Sequence, residues 1–94
     1  MYATIRHYAG NPAFADALAT RRSEVLDVVQ SVDTFRAYYL IRTATGTVSV
    51  TVCADQSGAE ETNRLAANWV RQNMPEAAAS PPEVTVGEVV VSAS

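Results

Sequence analysis

Along this chain the apolar positions switch between a period of two and a period near 3.6, and each switch marks an element. Tyr2 to Ala9 is rich in aromatic and β-branched residues and closes at Gly10, the pattern of a strand ended by a turn. Asn11 and Pro12 then read as an N-cap with proline in the first helical position, where its missing N–H costs nothing. Phe14, Leu18, Val25, Val29 and Val32 follow mostly at three- and four-residue steps, predicting one helix of about 20 residues with a buried stripe. From Asp33 the period drops to two, and Thr34 to Thr43 and Thr47 to Ala54 alternate across Thr45 and Gly46 as a β-hairpin. Ser57 to Glu60 has the form of a capping box and opens a second helix, with Leu65, Ala66, Trp69, Val70 and Met74 as its apolar stripe. Met74 to Glu83 carries three prolines and reads as a connector with little order of its own, before a last strand over Val84 to Ser92.

The order β-α-β-β-α-β predicts an α+β, ferredoxin-like domain: one four-stranded antiparallel sheet with both helices on one face, filling residues 1–94. The more apolar parity of the strands is assigned to the helices, namely Ile5 and His7, then Phe35, Ala37, Tyr39 and Ile41, then Val48, Val50 and Val52. The opposite parity holds Tyr2, Thr4, Arg6, Tyr8, Arg36, Tyr38, Leu40, Arg42, Ser49, Thr51, Cys53, Val89 and Val91. That mixture is too aromatic to face water and too polar for a second helical layer, so a second copy of the same sheet is expected to cover it. The subunit is thus expected to be half of a homodimer, with Tyr2, Tyr38, Leu40 and Val89 losing exposure where the copies meet.

Composition narrows the partners. The net charge is −3, and the seven basic residues, all Arg, are dispersed, so the footprint of a nucleic-acid or anionic-membrane binder is missing. No apolar run approaches the ~20 residues of a membrane span. A single Cys excludes an internal disulfide framework, and no charged and apolar leader pattern follows Met1, which together predict a reducing, cytoplasmic setting.

Candidate chemistry is sparse. His7 is the one imidazole and a candidate general base; the alternative is a hydrogen-bonded core histidine. Without a second His or clustered carboxylates it completes no metal site. Trp69 on the second helix and Tyr39 on the sheet could frame a slot for a flat aromatic ligand, with Asn68 adding a polar contact, or Trp69 could simply fill the core. Cys53 has no activating neighbour in sequence and reads as a small interface residue, and Ser57 reads as a cap. Arg6, Arg36 and Arg42 form either an anion clamp or ion pairs with Glu83 and Glu88 or with the other subunit. An empty cavity of several hundred Å³ beside His7 would mark a ligand site, and a packed one an interaction module.

Two segments carry a family resemblance: Phe35-Arg36-Ala37-Tyr38-Tyr39-Leu40 in the second strand, and Ser57-Gly58-Ala59-Glu60-Glu61 leading into 63–73 in the second helix. With them the chain resembles, over nearly its whole length, the small bacterial proteins of the dimeric α/β barrel superfamily that are similar to antibiotic biosynthesis monooxygenases. The resemblance implies two sheets paired in a barrel with helices outside. It further implies binding or cofactor-independent oxidation of a small aromatic molecule, or a non-enzymatic ligand-binding or interaction module. The first-strand Asn and third-strand Trp of several such oxygenases have no counterpart here, where the first strand offers His7.

Overall fold

The computed structural model describes residues 1–78 and 80–94. Its elements are β1 (Tyr2–Ala9), α1 (Ala13–Thr20), α2 (Arg22–Gln30), β2 (Phe35–Arg42), β3 (Gly46–Cys53), α3 (Gln56–Asn73), α4 (Pro75–Ala78) and β4 (Glu83–Glu88). The four strands form one antiparallel sheet in the order β2-β3-β1-β4, the α+β ferredoxin-like arrangement that the sequence predicts.

The hairpin depends on one glycine. A Cβ on Gly46 would run into the carbonyl oxygen of Tyr8, so only glycine lets β3 start this close to the end of β1. Its carbonyl accepts a 2.9 Å hydrogen bond from the Thr43 N–H, closing the turn.

Five expectations about the fold need correction. The long first helix is two helices, broken at Arg21, whose backbone leaves the helical region at φ −107°, ψ 34°. No glycine or proline causes the break. Arg21 instead stacks on Trp69, 5.1 Å from the ring, and donates to the side-chain oxygen of Asn73 at 3.1 Å, so contacts with α3 turn the chain. The second helix is capped by Asp55, two residues before Ser57: the Asp55 carboxylate accepts from the Gly58 N–H at 2.8 Å, and this bond holds its carboxyl below the usual range. The proline-rich connector contains the short helix α4, and the last strand stops at Glu88. Ala79, inside that connector, lies outside the described residues.

The largest correction concerns which sheet face carries the helices. Thr4 donates its hydroxyl to the Ala59 carbonyl of α3 at 2.6 Å, and Thr47 donates to the Asn11 carbonyl at 2.8 Å. The Tyr8 ring meets Phe14 of α1 edge to face at 4.7 Å. Thr4, Arg6, Tyr8, Thr47, Ser49, Thr51 and Cys53 are therefore the buried, helix-covered parity, the reverse of the expectation. A bulge between Phe35 and Ala37 sets Phe35 opposite Cys53, and Ala37, Tyr39 and Ile41 opposite Val52, Val50 and Val48. These last six residues, with Ile5 and His7, occupy the open face. Tyr38 and Leu40, expected at the interface between copies, point to the helices instead, and Leu40 packs on the core of Tyr8, Phe14, Leu18 and Val70.

Candidate functional site

Between sheet and helices lies a partly open cavity of about 40 Å³. The sheet supplies its polar wall, Arg6 and Tyr8 from β1, Tyr38 from β2, and Ser49 and Thr51 from β3. The helices supply the apolar wall, including Leu18, Val25, Val29 and Trp69. Alternation along three antiparallel strands brings these sheet residues together: Arg6 lies opposite Ser49, Thr4 opposite Thr51, and Tyr38 opposite Thr51.

Arg6 organises the polar wall. It is only 5% exposed. Its Nε and Nη2 donate to the Tyr8 hydroxyl oxygen at 3.2 and 2.8 Å, and its Nη1 donates to the Asn63 side-chain oxygen and, at 3.4 Å, to the Asn63 carbonyl. Its guanidinium also lies 5.6 Å from the centre of the Tyr8 ring. Tyr38 lines the same space, and burial, reinforced by the nearby Tyr8, pushes its hydroxyl up to about 12, with Arg6 pulling the other way. At any ordinary pH Tyr38 is a neutral hydrogen-bond donor.

Of His7, Tyr39, Asn68 and Trp69, the residues expected to frame a ligand slot, only Trp69 reaches this cavity, and of the arginine trio only Arg6 does. His7 lies on the open face opposite Val48, half-buried, because its parity is that of Ile5 and not of Arg6. Tyr39 shares that face and is 59% exposed, so it frames no slot with Trp69. Asn68 accepts a hydrogen bond from Arg71 on the outer side of α3. The alternation of β1 that carries His7 outward carries Arg6 and Tyr8 inward; reversing the assumed parity would have found them.

The arginine trio separates as well. Arg42 pairs with Asp16, Arg36 is exposed, and Arg6 alone is buried. Cys53 is fully buried, and burial pushes its thiol up, the opposite of nucleophile activation. Among the described residues no group of three His, Cys, Asp or Glu could hold a metal ion, and no helix is long and apolar enough to cross a membrane.

The chain matches no model of a known family, and no curated protein matches it significantly in sequence. Solved structures do resemble it. A protein of unknown function from Nitrosomonas europaea superimposes with a TM-score of 0.74 at 18% identity, covering 98% of this chain and 91% of that one. An antibiotic biosynthesis monooxygenase gives 0.60 at 16% identity, covering 97% of this chain and 100% of the other. SnoaB, a cofactor-independent oxygenase from Streptomyces nogalater, gives 0.54 at 14% identity, with 99% and 94% covered. Identities this low speak for backbone architecture alone, and on that footing the chain has the ferredoxin-like fold of the antibiotic biosynthesis monooxygenase-like proteins.

Proposed function

We propose that the chain is the subunit of a homodimer that binds a small, partly aromatic molecule between its sheet and its helices, in a monooxygenase-like manner. The observation that carries this reading is the cavity's division into a donor-bearing wall, Arg6, Tyr8 and Tyr38, and an apolar wall ending at Trp69. Apolar lining with a few convergent polar groups is the usual build of a small-molecule site: the first part holds the body by burial, the second orients it. Arg6 and the two tyrosines would fix the polar edge of the ligand, and Trp69, held against Arg21, would close over its flat face.

The open sheet face supports the dimer. Ile5, Tyr39 and Ile41 are 37%, 59% and 43% exposed, and they adjoin Val48, Val50 and Val52 on three paired strands. An apolar surface of this continuity is the kind that a second copy covers, and His7 belongs to it.

A second reading, an interaction module that holds no ligand, is favoured by the cavity's size: about 40 Å³ is room for about three waters. Binding separates the two. Trp69 is the only tryptophan, so its emission reports the cavity directly. Titration with hydroxylated aromatics is expected to change that emission saturably, and His7→Ala is expected to leave the titration as it was. A flat response across the whole panel would establish the packed module.

A further inference from the structure

The electrostatics of the cavity specify the ligand further, an inference that rests on the binding reading above. A guanidinium taken out of water ordinarily has an ionised partner, because an isolated buried charge loses its hydration with nothing to replace it. Arg6 has none. The ion pairs among the described residues are Arg21 with Glu24, Arg42 with Asp16 and Arg64 with Glu61. The acceptors of Arg6, a phenol oxygen and the two oxygens of Asn63, are all neutral. Among the described residues no Asp or Glu lines the cavity, and none lines the second cleft that Arg6 borders, where the other charged side chain is Arg71. A second copy on the open sheet face cannot supply the missing charge, since Arg6 projects from the other face toward α3.

The polar wall also has donors in surplus. Arg6 Nη2 carries one N–H beyond the bond to Tyr8. The Tyr8 oxygen already accepts twice from Arg6, and neither its proton nor that of Tyr38 goes to an acceptor among the described residues. The group that completes this wall is therefore an acceptor, and the unpaired Arg6 charge makes it an anion. No imidazole or carboxylate lines the cavity to create that anion in place, so it must arrive ionised. At neutral pH this describes a carboxylate better than a phenol, whose proton would need a base.

We infer that the cavity receives the carboxylate of a small carboxylic acid, held by Arg6, Tyr8 and Tyr38, while the apolar body of the acid lies along Leu18 and Val25. The dimensions agree. About 40 Å³ suits a carboxylate head, and a neighbouring groove of about 290 Å³ shares Leu18, Val25 and Tyr38 as walls and offers Leu26 and Leu40 to an apolar body.

The experiment follows Trp69 emission and calorimetric heat as the full chain is titrated with acetate, benzoate and phenylacetate. The matched amides, and 4-nitrophenol in its ionised form, serve as comparisons. Benzoate and phenylacetate are expected to bind about tenfold or more tighter than their amides, as the pairing of one buried charge allows. Arg6→Gln is expected to abolish that preference and to melt no lower than the parent, because a charge buried without a partner has been removed. Should Arg6→Gln fail to fold, Tyr38→Phe decides, since it deletes one donor, keeps the ring and is expected to reduce the preference for carboxylate several-fold. Equal binding of acids and amides, or an acid preference that survives in the variant that folds, overturns the inference and leaves the cavity as a site for neutral molecules. Tighter binding of the phenolate than of benzoate overturns the carboxylate assignment. No response to any compound overturns both this inference and the binding reading.

Discussion

On the helix-covered side of the sheet β1 presents Thr4, Arg6 and Tyr8, while on the open side the same strand presents Ala3, Ile5 and His7. β3 repeats the contrast with Thr47, Ser49, Thr51 and Cys53 inside and Val48, Val50 and Val52 outside. The interior is thus the more polar of the two faces, the inverse of the usual relation between a sheet and its core. Two physical reasons reconcile this with a stable fold. The inner polar groups are partly satisfied at once, Thr4 by the Ala59 carbonyl, Thr47 by the Asn11 carbonyl and Arg6 by Tyr8 and Asn63. The remaining inner hydroxyls border a cavity, where an acceptor from solution can reach them. The outer face, whose polar groups are few and include His7 and the exposed Tyr39 hydroxyl, is the one proposed for association. Polarity in this sheet marks the candidate site, and apolarity marks the proposed interface.

The contrast can be broken most sharply from outside. Replacing Tyr39 and Ile41 together by Glu puts like charges across the proposed two-fold interface, and the proposed dimer is expected to dissociate about 100-fold more readily. Light scattering or sedimentation at micromolar concentration reads this as a fall from dimer to monomer mass; an unchanged mass would show that the open face is not where copies meet. From the inside, Trp69→Ala is expected to cost about 2 to 3 kcal/mol, less than the ~3–5 of a fully buried tryptophan, because Trp69 is half-buried. Denaturant melts measure it, and the mass should stay that of the parent, since Trp69 is on the helix side.

Thr4→Val probes a smaller quantity, the value of one inner hydroxyl. The loss should be about 1 kcal/mol, because the Ala59 carbonyl that Thr4 donates to keeps a second donor in Thr62 at 2.8 Å. A stabilised Thr4→Val would mean that the inner polarity near α3 serves the site alone. The smallest effect is confined to alkaline solution. The folded Tyr38 hydroxyl, at about 12, binds its proton more tightly than an unfolded tyrosine at 10.0, so the native state holds more protons between these values. Stability contributed by burying neutral Tyr38 is complete below pH 10 and is lost as pH rises toward 12. Comparing melts of the parent and Tyr38→Phe over that interval isolates the effect: the parent should lose more than the variant.

Much of the architecture could be read without the third dimension because it depends on local periodicity and turn chemistry. The 3.6 period of Leu65, Trp69 and Val70, the alternation from Phe35 to Arg42, and the glycine at 46 each act over a few residues, and α3, β2 and the hairpin stand where these signals put them. The break at Arg21 had no local signal: its pair with Glu24 has an ordinary helical spacing, and its other partners, Trp69 and Asn73, lie some fifty residues away in sequence. The site was legible only as two sets of alternating residues. Trp69 was expected between helix and sheet and lines the cavity there, whereas His7 and Tyr39 were expected beside it and Arg6, Tyr8 and Tyr38 on the opposite face, because the more hydrophobic set was equated with the core.

The sequence by itself determined the order of elements, the antiparallel sheet and the division of each strand into two faces, since alternation follows from the pleat alone. Tertiary structure decided which face the helices took. A sheet with apolar content on one parity and mixed content on the other offers two faces that both exclude water, and periodicity is unchanged when they are exchanged. The choice was made by contacts far apart in the chain, Thr4 with Ala59, Arg6 with Asn63 and Tyr8 with Phe14, which exist only once helices and sheet have come together.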